Sequence, residues 1–178
     1  QGEAGMVNIV LVGPPRIGKT TMIKKVVSKL GDGCAGFYTE EMKEQDERVG
    51  FKLVALGKES CTLSHRDIRG HVHVGKYGVD LDCVEGIGVL AIKKGIRTGK
   101  VVIIDEIGKM EILSRSFKFS VLDALDSKST VVATMPNKRE PFFDKIRARK
   151  DVEVLEVTEA NRDSLVDIVL EKLTQHPT

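Results

Sequence analysis

Apolar positions in this chain fall into two kinds of short run, separated by glycine and by charged stretches. Val7-Asn-Ile-Val-Leu-Val12 is nearly continuous and β-branched, the mark of a strand buried on both faces. Residues 21–30 place Met22, Ile23, Val26, Val27 and Leu30 on one helical face, and Gly31 stops that helix. A second strand is predicted at 35–40 and an alternating one at 49–56, joined as a hairpin by the charged turn 41–48. Residues 57–80 are glycine-rich and polar and predict only a weak extended segment near 72–74. Beyond them the pattern predicts a helix over 83–97, ended by Gly99, then a strand at 101–105 and a helix near 117–125. A strand at 130–134, a helix near 141–149, a strand at 152–157 and a helix over 161–173 complete the series. Strands alternating with helices predict an α/β fold with a mostly parallel sheet, helices on both faces and an inserted β-hairpin.

Chemistry enters between the first strand and the first helix. Gly13-Pro14-Pro15-Arg16-Ile17-Gly18-Lys19-Thr20 fits G-x-x-x-x-G-K-[ST], a loop whose backbone N–H groups and helix N-terminus cradle phosphates. In that role Lys19 reaches the β/γ-phosphates and the Thr20 hydroxyl ligates Mg²⁺. A second element matches it. Lys100-Val101-Val102-Ile103-Ile104-Asp105-Glu106 is a buried strand with an acidic pair at its carboxyl end, where open α/β sheets bind ligands. Asp105 is the expected Mg²⁺ partner beside Thr20, and Glu106 the expected general base for an attacking water.

Two other readings share these residues. Asp105-Glu-Ile-Gly108 also fits D-x-x-G, and Asn137-Lys-Arg-Glu140 resembles the guanine-reading N-K-x-D with Glu in the last place. A GTPase switch would use both. A small-molecule kinase would use the same phosphate loop with an acceptor other than water, and Arg66 and Arg69, or Arg147 and Arg149, are candidates for its lid. The Asp-Glu pair favours water.

Composition narrows the class. The 178 residues are 41% hydrophobic and 30% charged, ordinary for one globular domain. A net charge of +2 gives no ground for expecting nucleic-acid or membrane partners. No apolar run approaches the roughly 18 residues of a membrane span, and no signal-peptide core opens the chain. Cys34, Cys61 and Cys83 leave an odd cysteine without metal-type spacing, so reduced thiols and a cytoplasmic protein are expected. Gln1 to Gly5 has the look of an expression scar, which sets the domain at 6–178.

With these motifs in hand, the chain resembles the nucleoside-triphosphatase family of thermophiles, which has a human member called cancer-related. The resemblance covers nearly all of 7–173. It rests on the phosphate loop through Thr21, Gly36-Phe-Tyr-Thr-Glu-Glu41, Val74-Gly-Lys-Tyr77 with Val79-Asp-Leu81, Ile104-Asp-Glu-Ile-Gly-Lys-Met-Glu111, and Asn161-Arg162. It implies a RecA-like P-loop fold and Mg²⁺-dependent hydrolysis of ATP, GTP and other nucleoside triphosphates, with little base selectivity. Nucleotide contacts of that family map onto Gly13 to Thr20 and onto Val101, Val102, Ile103, Ile104, Asp105, Glu106, Ile107 and Gly108. One departure is Arg16, where that family usually has glycine. A negative φ there would leave phosphate binding intact, with the side chain leaning over the phosphates or, preferentially, pointing to solvent.

Several further residues carry weaker signals. His71 and His73 project from one face of an extended stretch, but zinc needs a third ligand and none is near. Thr134 ends a buried strand, where it either senses the γ-phosphate or satisfies backbone. Lys109 and Glu111 belong to the family string without a derivable role. Arg147 and Arg149 read as a solvated helix end before a charge-stabilising finger. Asn161 is a good N-cap. Glu40 is the fallback general base.

Overall fold

The computed structural model describes residues 7–175. The expected scar at 1–5 and the domain limits at Met6 and Thr178 lie outside the described residues.

The β-branched runs behave as their pattern requires. Asn8–Gly13 (β1) is buried along its whole length, and Val101–Ile104 (β7) and Val131–Pro136 (β8) nearly so. Together with Cys34–Glu44 (β2) and Val152–Glu156 (β9), they pair in parallel in the order β2-β7-β8-β1-β9. Successive residues of β1 then face opposite ways. Ile9 and Leu11 pack with Ile23 and Val26 of Lys19–Leu30 (α1) and Val166 and Val169 of Arg162–Thr174 (α5). Val10 and Val12 pack on the other face with Phe37, Ile104 and Phe117. That second layer holds Leu90–Arg97 (α2), Arg115–Asp126 (α3) and Pro141–Arg147 (α4). Phe117 is fully buried, edge-on to Phe37 at 6.1 Å, and burial of each such ring contributes about 2–3 kcal/mol. Helices on both faces of an α/β sheet match the expectation.

The hairpin is larger than expected. Strand β2 runs on past the parallel region and pairs antiparallel with Glu47–Ala55 (β3). Of the charged turn expected at 41–48, only Gln45 and Asp46 turn, both with positive φ (51° and 65°). The rest is an exposed strand arm whose charges lie in solvent. Ser60–His65 (β4), His73–Val74 (β5) and Tyr77–Val79 (β6) extend the ribbon, so among the described residues nine strands form one mixed sheet, β5-β6-β4-β3-β2-β7-β8-β1-β9. Strand β4 has no apolar alternation; of its residues only Leu63 and Ser64 are fully buried, which is why it leaves no trace in the pattern.

The helix expected at 83–97 starts earlier. The Asp80 carboxylate accepts from the backbone N–H groups of Asp82 (3.0 Å) and Cys83 (3.4 Å), which sets its first turn, and a π-helical stretch, Val84–Val89, leads into α2. This placement corrects the expectation of three reduced thiols. Strand β4 lies beside that first turn, and Cys61 and Cys83, with Cα atoms 5.7 Å apart, form a disulfide. Cys34 alone is free, and it is buried. The cysteine-based ground for a cytoplasmic placement therefore falls away.

Candidate active site

Three of the parallel strands deliver the chemistry. Strand order puts β8 between β1, which ends in the glycine loop, and β7, which ends in the acidic pair. The loop closes tightly: a Cβ on Gly13 would stand 3.1 Å from the Val157 carbonyl oxygen and from Ile17 Cγ2. Gly18, at φ 113°, opens α1 in a conformation that favours glycine. Arg162, from α5, donates through Nη1 to the Ile17 carbonyl at 3.1 Å and braces the loop from outside. Asn161 precedes α5, but its side chain does not cap the helix. It accepts from Thr158 N and donates to the Glu156 carbonyl, both at 2.8 Å, shaping the turn before α5.

Arg16 departs from expectation. Its φ is +66°, not negative, so a side-chain-bearing residue sits in the left-handed region at a strain of roughly 1–2 kcal/mol. Its side chain is 69% exposed, and Nε lies 3.5 Å from Glu41 Oε1 on β2.

Lys19 is buried. Its ammonium donates to the Gly13 carbonyl (2.5 Å) and the Met135 carbonyl (3.5 Å) and lies 3.9 Å from Glu106 Oε2. Burial pulls its pKa down, while Glu106 and Asp105 oppose the shift. Asp105 is fully buried and held by two threonines: Thr20 Oγ1 donates to Oδ2 at 2.8 Å and Thr134 Oγ1 to Oδ1 at 2.6 Å. Burial raises its pKa, and those hydrogen bonds pull it back. Thr134 is thus committed to Asp105 rather than to backbone. A hydroxyl and a carboxylate this close are hard oxygen donors at a phosphate loop, which fits Mg²⁺ held by few side chains plus phosphate and water. Among the described residues no cluster of three or more His, Cys, Asp or Glu offers a cage for another metal, His71 and His73 included.

Glu106 turns into the cleft with a third of its side chain exposed. Burial raises its pKa and Lys19 counters. Glu111, five residues on, is almost wholly buried. The two carboxylates close over Gly108, where an added Cβ would meet Glu106 Oε1 at 2.5 Å and Glu111 Oε2 at 2.7 Å. Burial, then the Glu106 charge, push the Glu111 pKa well above the usual carboxylate range.

These groups open on a cleft of about 740 Å³ that Pro15, Arg16, Gly18, Lys19, Thr20, Asp105 and Glu106 line in part. Val102, Ile103, Ile104 and Ile107 are sealed in the core; Val101, Pro14 and Ile17 do not face the cleft; Gly13 and Gly108 act through the close approaches they permit. Arg147 is neither finger nor solvated end, since it holds Asp144 and the Pro136 and Lys138 carbonyls. Arg149 is taken up by Asp126 and Asp151, and Arg66 by Glu44 and Glu47. Glu40 is paired with Lys24 at 2.8 Å. The Glu140 carboxylate accepts from the Phe142 (2.7 Å) and Phe143 (3.1 Å) N–H groups as the cap of α4. Sequence reading missed the far wall of the cleft, with Arg48, Phe51, Leu63, Val74 and Met110. Only an alternating apolar signal at Phe51 and Leu53 hinted at that sheet face.

Fold and site define the class: an α/β enzyme domain of the P-loop NTPase type. The sequence profile described as NTPase matches residues 8–170, and the chain belongs to that family. It is 44% identical over 165 residues to the nucleoside-triphosphatase THEP1 of Thermotoga sp. (strain RQ2), covering 93% of this chain and 94% of that one. It is 38% identical over 179 residues to the cancer-related nucleoside-triphosphatase homolog of Mus musculus, at 91% and 94% coverage. The crystal structure of THEP1 from Aquifex aeolicus superposes with a TM-score of 0.87 at 32% identity, over 93% of this chain and 98% of that one. The solution structure of a human cancer-related nucleoside triphosphatase gives 0.84 at 31%, over 97% and 100%. The protein is a nucleoside-triphosphatase.

Proposed function

We propose that this domain hydrolyses ATP, GTP and other nucleoside triphosphates to the diphosphate and inorganic phosphate, with Mg²⁺ and little regard for the base. The observation that carries the reading is the convergence of Lys19, Glu106 and the Thr20–Asp105–Thr134 cluster at the carboxyl ends of adjacent strands. Lys19, already presented by the Gly13 and Met135 carbonyls, faces the β/γ-phosphates. Thr20 would hold Mg²⁺ directly and Asp105 through water; bound there, the ion would neutralise charge on the phosphates. Glu106 takes the proton of the attacking water. Glu111 meets Glu106 at Gly108, and burial, then the Glu106 charge, raise its pKa, which disfavours a second negative charge beside the base. Low base selectivity accords with Glu140 being spent on a helix cap. The test is phosphate release from a panel of four nucleoside triphosphates, with and without Mg²⁺. Comparable kcat/KM across the panel and loss of turnover in chelator are expected; strict dependence on one base would sink the selectivity claim.

A further inference from the structure

The cleft of about 740 Å³ extends from the phosphate loop past Glu106 to a second wall. Direction follows from sheet order. The loop sits on β1, Glu106 follows β7, and β2 and β3 lie beyond β7. The line from the loop past Glu106 therefore runs away from β9 and Arg162 towards the antiparallel ribbon. A nucleoside leaves the loop at its other end, since Lys19 and Glu106 mark the γ-phosphate end.

The wall at that far end is apolar and cationic. Phe51, Leu63, Val74 and Met110 line it. The Arg48 guanidinium is presented between two rings, 5.1 Å from the Phe51 centroid and 5.6 Å from the Tyr77 centroid, and its Nε donates to the Tyr77 hydroxyl at 3.0 Å. One acid, Glu41, faces three cations: Arg48 at 3.5 Å, Arg16 at 3.5 Å and Lys43 at 3.9 Å. Positive charge is in excess there. The hydrolysis proposed above routes no step through Arg48, Lys43, Phe51, Leu63, Val74 or Met110, groups that suit an anion with an apolar body.

We propose that this compartment binds a small hydroxy acid with an aromatic or branched body, its carboxylate towards Arg48 and Lys43, and that its hydroxyl accepts the γ-phosphoryl group in place of water. The inference rests on the hydrolase reading for the position of the γ-phosphate. In the transfer step the acceptor O–H proton passes to the Glu106 carboxylate, and the oxygen forms a bond to the γ-phosphorus. The bond from that phosphorus to the bridging oxygen breaks, and the nucleoside diphosphate leaves with the electron pair.

The probes are mandelate, phenyllactate and hydroxyisovalerate, each supplied to the full chain with Mg²⁺ and ATP, with phosphorus NMR separating phosphate ester from inorganic phosphate. An ester is expected from at least one probe. Val74→Trp fills the compartment and Arg48→Met removes the anion's partner; each is expected to lower the ester-to-phosphate ratio about tenfold. That ratio is independent of how much enzyme is folded. A wild-type enzyme that hydrolyses ATP but esterifies none of the three overturns the acceptor site. Equal ratios in wild type and both variants overturn it too, by placing the acceptor elsewhere. Absence of both ester and phosphate would instead remove the hydrolase reading, and this inference with it.

Discussion

The two halves of the sheet solve opposite problems. The parallel half keeps its reactive polar groups dry: Asp105 and Lys19 are buried, and each is held by named donors or acceptors. The antiparallel half carries its charges in the open. Lys24–Glu40, Arg66–Glu44 and Lys76–Glu47 are exposed pairs of the kind worth little each. Low dielectric makes each interaction in the first half strong, so single substitutions there act on chemistry. In the second half stability rests on the covalent link and the Phe51–Tyr77 ring contact, so hydrolysis is spared when charges change.

The largest effect should come from the dry half. Lys19→Ala removes the cation facing the phosphates and is expected to drop hydrolysis to background with weakened triphosphate affinity. Glu106→Gln keeps size but cannot accept a proton, so kcat should fall roughly 10²–10⁴-fold with nucleotide affinity little changed. Calorimetric affinity beside kcat separates the two roles, and wild-type turnover in Glu106→Gln would show that another group takes the proton.

Next comes the ribbon. Reducing the Cys61–Cys83 bond, which spans 22 residues, should lower unfolding stability by about 3 kcal/mol. The readout is a urea midpoint with and without reductant. Hydrolysis of the folded reduced protein should persist; its collapse would mean that the two halves are not separable.

A smaller effect lies at the seam. Burial, then the Glu106 charge, raise the Glu111 pKa in the fold, whereas in the unfolded chain the group ionises near the ordinary value of 4.5. Above that pH the unfolded state binds fewer protons than the folded one. Stability from this group is therefore complete below that value and declines as pH rises towards the raised folded pKa. Glu111→Gln should flatten this decline and raise the melting temperature at neutral pH. An unchanged pH slope would place the burden on another carboxyl.

The smallest effect is expected at Arg16→Gly. Relief of a left-handed arginine is largely offset by the freer unfolded chain, leaving a gain of about 0.5 kcal/mol. Hydrolysis should barely move, since the side chain is largely in solvent.

Sequence alone determined the parallel half. Continuous β-branched runs, a glycine loop at a strand-to-helix junction and an acidic pair at a strand end are local signals. They specify Lys19, Thr20, Asp105 and Glu106 because backbone conformation and burial are written in neighbouring residues. Tertiary structure decided the rest. Thr134 joined Asp105 because strand order places β8 between β1 and β7, and Glu111 met Glu106 because Gly108 lets the chain fold back on itself. Cys61 found Cys83 across a strand that carries no apolar period. The far wall of the cleft was assembled from β3, β4, β5 and the loop after β7, residues distant in sequence that share no local pattern. Contacts of that kind depend on which strands become neighbours, a property of the whole sheet that no single stretch encodes.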